Sequence, residues 1–432
     1  MLNSEETARA YRVLGQRLTR QLEASMHACT HCGLCNDACH YYVSLREPEL
    51  VPAYKADRLR NVWKRSYDWL GRLWPWYVSA RALDDDAFRQ LWDSAWGACT
   101  MCGRCAFNCP MGVDTPLIIS TARAMLNAAG LVPEELQKAV EIHLQTRNNM
   151  GVSDADFRET IEWLDEQLCD ELKVEGPVIP LDKQGARVMY LVNPREVKFS
   201  PLTLMAAAKI LFVAGESWTL SSDYWDVTNY GLFTSDDAAA RQIGLWALEA
   251  ANKLGVQEVW MSECGHGYNA LRWEAENWLG QKFPFRVRGF VEAMAEYIQH
   301  GRIQLDPARN RLPVTYHDPC NQGRKGGILE EPRYILSRAV TGFREMVPNR
   351  QNSYCCGGGG GMLLMAEFAQ RRIAAAKIKA EQIQATEAKI VATSCHNCLD
   401  QLAEVSRRYK LGASVKNLCE LVADAIIWPP RH

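Results

Sequence analysis

A predicted strand that runs directly into two cysteines reads Ile390-Val391-Ala392-Thr393-Ser394-Cys395-His396-Asn397-Cys398. A second apolar run, at residues 314–317, stands just before Cys320, and the adjacent pair Cys355-Cys356 with Gly357 lies between the two runs. Ligands in α/β folds gather at the carboxyl edge of a parallel sheet, so Cys320 and Cys395 are expected at one edge. The pattern predicts an α/β segment in which five cysteines, C-x34-CC-x38-C-x2-C, converge on one site.

Five thiolates exceed the four that a zinc ion or a cubane iron-sulfur cluster takes, so an unusual iron-sulfur centre is favoured. The glycines at 357–361 allow backbone N–H groups to approach sulfur closely. A phosphate loop is disfavoured, because no Lys-Ser/Thr pair follows these glycines. A four-cysteine zinc site with one spare thiol stays open, since Cys395-x2-Cys398 alone is also compatible with zinc.

Two complete ferredoxin-type runs precede this segment: Cys29-x2-Cys32-x2-Cys35-x3-Cys39 and Cys99-x2-Cys102-x2-Cys105-x3-Cys109-Pro110. In the two-cluster arrangement with this spacing, the fourth cysteine of each run ligates the other cluster. One cubane [4Fe-4S] cluster is therefore expected on Cys29, Cys32, Cys35 and Cys109, and the second on Cys99, Cys102, Cys105 and Cys39. The first run departs from the usual pattern in one respect, since His40 instead of proline follows Cys39.

Composition excludes several classes of protein. The 432 residues carry a formal net charge of −2 with interspersed acidic and basic residues, which gives no electrostatic case for nucleic acid. The 16 cysteines cluster as metal ligands and do not resemble a secreted disulfide scaffold. Neither a signal peptide nor an apolar run long enough to span a membrane is found, so a cytoplasmic location with peripheral membrane attachment through a partner is expected.

The chain is expected to combine α+β and α/β domains. A mainly helical two-cluster ferredoxin-like domain is predicted at 1–130 with a tryptophan-rich insert at 44–95, followed by a helical linker at 131–176. Strands alternating with helices then predict two tandem α/β repeats, at 177–310 and 311–432. The first repeat is degenerate, because Tyr230-Gly231-Leu232 replaces the vicinal cysteines and only Cys264 remains of the closing motif. Continuous helices are predicted over 133–172 and 362–386.

The two ferredoxin runs followed by the CCG-type pattern resemble the D subunit of heterodisulfide reductase. The resemblance extends to related subunits of the DsrK, Hmc and Tmc type in sulfate-reducing microbes, and it covers residues 29–398. It implies a noncubane [4Fe-4S] cluster held by Cys320, Cys355, Cys356, Cys395 and Cys398, at which a disulfide or trisulfide is reduced. The iron-sulfur subunits of glycolate, lactate and glycerol-3-phosphate oxidoreductases usually keep the cysteine motif in both repeats. Because the first repeat of this chain has lost it, the resemblance to those subunits is weaker.

Further candidates are the partner proteins of the chain and the residues that donate protons at the five-cysteine site. The tryptophans of the insert predict docking onto a membrane-embedded haem b or quinone-reactive subunit, and ordinary core packing around the cubanes is the alternative. A periplasmic multihaem cytochrome c and a small sulfur-carrier protein are further candidate partners. His396 and His317 are candidate proton donors to a departing thiolate, and ordinary hydrogen bonding beside a cluster is the alternative. Cys264 and His266 are candidates for a place near the same site, whereas Cys169 and Cys419 are expected to be buried hydrophobic residues.

Two other functions stay open. The chain can be an iron-sulfur relay for a flavin-dependent 2-hydroxy acid or glycerol-3-phosphate dehydrogenase, although it carries no nucleotide fingerprint of its own and needs a flavoprotein partner. It can also be a non-enzymatic electron relay, in which the five-cysteine cluster only stores charge.

Overall fold

A computed structural model describes residues 3–428 and divides the chain into two compact units. Unit 1 comprises Met1–Gln137, Gly231–Asp236 and Gln351–Glu381, and unit 2 comprises Lys138–Tyr230, Asp237–Arg350 and Gln382–His432. The units do not follow the four sequence segments, because residues 351–381 of the last segment are part of unit 1. Cys355 and Cys356 therefore belong to unit 1, while Cys320, Cys395 and Cys398 belong to unit 2.

The α-helices of the described residues are α1 (Ser4–Gln16), α2 (Arg20–His27), α3 (His40–Leu45), α4 (Pro52–Tyr67), α5 (Trp69–Leu73), α6 (Asp85–Trp92), α7 (Arg104–Phe107), α8 (Thr115–Ala128), α9 (Glu134–Thr146), α10 (Asp154–Leu172), α11 (Pro194–Lys198), α12 (Pro201–Val213), α13 (Gly231–Thr234), α14 (Asp237–Leu254), α15 (Gly265–Asn269), α16 (Ala275–Leu279), α17 (Phe290–Gln299), α18 (Glu331–Ala339), α19 (Ala369–Ala375), α20 (Lys377–Thr386), α21 (His396–Arg408) and α22 (Leu418–Ala425). Within residues 3–428, no helix is long and apolar enough to cross a membrane.

The strands lie in unit 2 and are β1 (Val188–Leu191), β2 (Trp218–Thr219), β3 (Glu258–Met261), β4 (Arg286–Gly289), β5 (Val314–Tyr316), β6 (Phe343–Arg344), β7 (Ile390–Thr393) and β8 (Ser414–Asn417). They form two four-stranded parallel sheets with orders β2-β1-β3-β4 and β6-β5-β7-β8. The central strands are fully buried, as expected for a parallel sheet covered by helices. The predicted mixed α/β architecture is confirmed, and the edge strands β2, β4, β6 and β8 were not predicted.

Two helices that were predicted to be continuous are interrupted in the structure. The helix expected over 133–172 is broken between α9 and α10, where Gly151 has a φ of 63° and the Ser153 hydroxyl caps α10 by accepting from Asp156 N–H. The helix expected over 362–386 begins only at Ala369 and is interrupted at Ala376. Phe368 explains the late start, because its ring packs on Trp92 and against Gly97 in unit 1, and this packing overrides local helix propensity.

Arg123 on α8 holds the separate pieces of unit 1 together. Its side chain is fully buried, and its five N–H groups donate to the carbonyls of Ala95 (twice), Cys99, Phe233 and Gly360 at 2.8–3.0 Å. The guanidinium also lies 4.4 Å from the Trp96 ring centroid. Burial lowers the pKa of Arg123 to about 10, so it stays charged at neutral pH.

Arg123→Met is expected to destabilise unit 1 by at least about 3 kcal/mol, because it leaves four buried carbonyls without these partners. Hydrogen exchange measured by mass spectrometry checks this, and peptides covering 95–101, 231–236 and 357–361 should exchange faster. Arg89→Met is the control, since Arg89 is exposed and pairs only with Asp86 in this part of the structure. Equal exchange in the two variants would show that Arg123 does not hold these segments.

Candidate iron-sulfur sites

The two ferredoxin-type runs fold into loops with the same backbone conformations. In the first, His31 and Gly33 have φ values of 55° and 82°, and in the second, Met101 and Gly103 have φ values of 54° and 79°. These residues occupy equivalent positions, two and four residues after the first cysteine of each run. The left-handed residues coil each loop tightly, so successive N–H groups can approach sulfur, as Met101 N–H does at 3.4 Å from Cys99 Sγ.

The first run and the end of the second line one cavity in unit 1. Its walls include Cys29, Cys32 and Cys35 together with Cys109 and Cys105. Burial raises the pKa of the Cys35 thiol, and the negative charges of Cys29 and Cys109 raise it further. A cluster iron fits this donor set, because metal coordination lets closely spaced thiols lose their protons.

The second run lines a second cavity in the same unit. Cys99, Cys102 and Cys105 share its walls with Cys39, the last cysteine of the first run. Burial raises the pKa of Cys99 and raises that of Cys105 more strongly, with Cys102 adding to both shifts. Each cavity therefore brings three cysteines of one run near the fourth cysteine of the other.

Lys55 on α4 provides a buried positive charge beside the second cavity. Its ammonium donates to Cys39 Sγ at 3.4 Å and to the Ala98 carbonyl at 2.8 Å. Burial opposes the charged form of Lys55, but the negative charges of Cys39, Cys99 and Cys105 outweigh it and raise its pKa. A cation fixed here favours added negative charge in this cavity.

The vicinal pair lies in a glycine-rich loop of unit 1, and both thiols are buried. Gly357 N–H lies 3.3 Å from Cys355 Sγ, and Gly358 N–H lies 3.4 Å from Cys356 Sγ, which agrees with the expected approach of glycine N–H groups to sulfur. The loop rests on the second ferredoxin run. Thr100 Oγ1 contacts Cys355 Sγ at 3.4 Å, and a Cβ on Gly360, whose φ is 65°, would come within 3.0 Å of the Thr100 backbone.

The three cysteines of unit 2 lie at the carboxyl ends of neighbouring strands. Cys320 follows β5, and Cys395 follows β7 and caps α21, whose first turn contains Cys398. Ser394 Oγ donates to Gln322 Oε1 at 2.5 Å and hydrogen-bonds with Tyr316 Oη at 2.8 Å, so the two loops are tied together. The amino end of a helix favours a thiolate at Cys395.

The candidate histidines are both buried in unit 2. His396 Nε2 lies 2.8 Å from Glu196 Oε1, a partner that the sequence did not indicate. Burial opposes protonation of His396, but Glu196 outweighs it and raises the pKa of the imidazole. His317 directly follows β5, and its backbone N–H donates to the Ala392 carbonyl at 2.9 Å. The structure thus anchors His396 through its ring and His317 through its backbone.

The loop of Cys264 lies beside Cys395. A Cβ on Gly265 would be 3.4 Å from both Cys395 Sγ and Asn321 Cβ, and the Glu263 carbonyl accepts from His396 N–H at 2.9 Å. Cys264 Sγ contacts His266 Nδ1 at 3.4 Å, and both residues are buried. Of the two remaining thiols, Cys419 is buried as predicted, whereas Cys169 is half-buried.

The sequence patterns did not identify Lys55, Arg123 and Glu196 as residues of these sites. The signal for Arg123 was present, because it is the lone charged residue of the apolar run from Leu117 to Leu126. Nothing in the sequence links Glu196 to His396, which is 200 positions away.

Lys55→Met is expected to lower the reduction potential of the cluster bound beside Cys39 by on the order of 60 mV, a tenfold change in a one-electron equilibrium. The reason is the loss of the only cation that hydrogen-bonds Cys39 among the described residues. Redox titration followed by electron paramagnetic resonance measures the potential, and Lys55→Arg is the matched variant that keeps the charge. An unchanged potential in Lys55→Met with full iron content would contradict the assigned role.

Comparisons with known proteins agree with the two kinds of cysteine motif in the sequence. The family described as 4Fe-4S dicluster domain matches residues 25–113, and the family described as cysteine-rich domain matches residues 314–403. The Hdr-like menaquinol oxidoreductase iron-sulfur subunit 2 of Archaeoglobus fulgidus is 28% identical over 376 residues, covering 78% of this chain and 67% of that protein. The D subunit of the dihydromethanophenazine:CoB--CoM heterodisulfide reductase of Methanosarcina barkeri is 28% identical over 415 residues, 95% of this chain and 96% of its own.

A quinone oxidoreductase is also similar to this chain. The EtfAB:quinone oxidoreductase of Syntrophomonas wolfei is 26% identical over 325 residues, covering 73% of this chain and 43% of that protein. The dicluster and cysteine-rich domains support bound iron-sulfur clusters and an electron-transfer role in an oxidoreductase. The resemblance drawn from the cysteine motifs is confirmed: the chain is a homologue of the D subunit of heterodisulfide reductase and of Hdr-like menaquinol oxidoreductase iron-sulfur subunits.

Proposed function

We propose that the chain is the iron-sulfur subunit of a membrane-associated redox complex, acting from the cytoplasmic side. It passes electrons between a membrane-embedded haem b or quinone-reactive subunit and a site for disulfide or trisulfide reduction. The observation that carries the proposal lies in unit 1, where Cys102 of the second ferredoxin run and Cys355 of the vicinal pair have their sulfur atoms within 4.8 Å of each other. Ligands of two clusters at this separation form a short path for electrons.

Three clusters are assigned in the proposal. Cys29, Cys32, Cys35 and Cys109 hold one cubane, and Cys99, Cys102, Cys105 and Cys39 hold the second, in agreement with the lining of the two cavities. Cys320, Cys355, Cys356, Cys395 and Cys398 hold a noncubane [4Fe-4S] cluster. Residues 177–310 are proposed to be a degenerate copy of 311–432, and the identical strand order of the two sheets supports this relationship.

The reaction proposed at the five-cysteine site is the cleavage of a sulfur–sulfur bond. A disulfide takes up two electrons and two protons, its S–S bond breaks, and two thiols leave. The cluster, when bound, would supply the electrons one at a time. The chain itself contributes the proton donors, for which His396 is the first candidate, because Glu196 orients its ring and favours the protonated form. His317 is the second candidate.

Docking to the membrane subunit is assigned to the tryptophan patch, defined as Trp69, Leu73, Trp74, Trp76 and Tyr77. Its side chains are between 51% and 78% exposed, whereas Trp63 and Trp96 of the same region are buried in the core. Amphipathic rings at this exposure suit an interface with a partner at the membrane surface. A periplasmic multihaem cytochrome c and a small sulfur-carrier protein complete the proposed set of partners.

A flavoprotein-linked relay is the second candidate function, and the similarity to the EtfAB:quinone oxidoreductase favours it. In this case electrons enter from a reduced flavoprotein, and no sulfur substrate is consumed. Copurification under anaerobic conditions separates the two, because the first function expects a haem-containing or quinone-reactive subunit and the second a flavin-containing one.

Anaerobically purified protein is expected to contain about twelve irons, from three four-iron clusters. Cys355→Ser should reduce this to about eight, because the cubane ligands are untouched, and the paramagnetic signal of the third cluster should disappear. Cys169→Ser is the matched control, since this half-buried thiol donates only to the Gly176 carbonyl and belongs to none of the three ligand sets. Eight irons and one zinc in the unaltered protein would rule out the noncubane site.

Replacing Trp74 and Trp76 by alanine is expected to release the chain from the membrane fraction, with at least a tenfold loss of association, because two exposed anchors are removed. The measurement is the share of the chain that sediments with membranes from cells expressing the whole complex. Trp163→Ala is the control, as its side chain is 50% exposed on α10 of unit 2. Equal sedimentation of both variants would place the docking surface elsewhere.

A further inference from the structure

His40 stands at the position where the second ferredoxin run has Pro110, directly after the last cysteine. It begins α3, and its ring is almost fully buried, with 2% of the residue exposed. The residue also lines the cavity of Cys39, Cys99, Cys102 and Cys105. A buried imidazole thus replaces a side chain that offers neither a donor nor an acceptor.

The surroundings of His40 contain two proposed cluster ligands. A ring nitrogen of His40, Cys102 Sγ and Cys355 Sγ all lie within 4.8 Å of one another, and all three residues belong to unit 1. Within residues 3–428, Nε2 of His40 is buried and has no hydrogen-bond partner. Burying an imidazole with an unpartnered nitrogen is costly, so a charged sulfur near the ring is the natural recipient of a hydrogen bond from one of the two ring nitrogens.

We propose that His40 is a positioning residue that directs a ring N–H toward the sulfurs of Cys102 and Cys355 and thereby couples the second cubane to the five-cysteine cluster. This inference rests on the proposed function. Hydrogen bonds to cluster sulfurs set reduction potentials, because an N–H donor stabilises the additional negative charge of the reduced state. One donor beside ligands of two clusters raises both potentials together.

The neighbouring polar groups act on other atoms around the same cavity. Tyr41 packs beside the His40 ring with a centroid distance of 4.5 Å, and Thr100 Oγ1 contacts Cys355 Sγ at 3.4 Å. Lys55 donates a hydrogen bond to Cys39 Sγ, which lines the same cavity. His40 and Lys55 therefore act at two separate sulfurs of the second cubane, and their effects on its potential should be independent.

The test compares His40→Phe, which keeps a ring but removes the donor, with His40→Gln, which keeps an N–H group. The intact protein is purified anaerobically, its iron and sulfide are counted, and each cluster is titrated with detection by electron paramagnetic resonance. The second cubane is identified as the signal that shifts in Lys55→Met. His300→Gln, at an exposed position after α17 in unit 2, is the control.

We expect His40→Phe to lower the potentials of the second cubane and of the five-cysteine cluster, with the first cubane unchanged, and His40→Gln to restore most of the shift. Unchanged potentials in His40→Phe would overturn the proposal. Equal shifts in His40→Phe and His40→Gln, or a loss of iron from both, would show a purely structural role and also overturn it. Eight irons in the unaltered protein would refute the five-cysteine cluster independently, while the effect on the second cubane would still be measured.

Discussion

The saturated hydrogen bonding of Arg123 is the constraint on which unit 1 depends. All five N–H donors of its guanidinium bond to backbone carbonyls, which belong to four residues of the chain. Two of these residues are far from the ferredoxin runs in sequence. A buried guanidinium is unfavourable unless it is fully satisfied, so the segments at 231–236 and 351–381 must be in place for this charge to be tolerated. The loop that begins with Cys99 is positioned by the same side chain.

The two units surround their cysteines with different kinds of buried ionisable groups. In unit 1 the neighbours are cations, Lys55 and Arg123, which favour the addition of an electron. In unit 2 they are acids. Glu196 contacts His396, and burial raises the pKa of Glu263, whose carboxylate accepts from Cys419 N–H. Groups that hold protons thus lie near Cys395, and groups that stabilise negative charge lie near the cysteines of the two ferredoxin runs.

Sequence patterns predicted the parts of this architecture that repeat or alternate. The spacing of the two ferredoxin runs anticipated which cysteines line each cavity, and the apolar runs before Cys320 and Cys395 anticipated adjacent parallel strands, because both depend on local chemistry. The patterns did not predict helix bounds or side-chain partners that depend on contacts between residues distant in sequence. Phe368 shortens a predicted helix by packing on Trp92, and the short strands such as β6 carry too few residues for a periodic signal. Partners such as Glu196 for His396 depend on tertiary contact alone.

The position of the vicinal cysteines changes how the cysteine-rich domain is understood as a module. The matched region at 314–403 contains all five cysteines in one continuous stretch. Yet Cys355 and its glycine loop rest on Thr100, and Arg123 holds the Gly360 carbonyl. The domain as written in sequence is therefore not an autonomous piece of folded protein. A fragment cut to residues 314–403 would lose the Thr100 and Arg123 contacts to the loop of the vicinal cysteines, so the bounds of the family match are not the bounds of a folding unit.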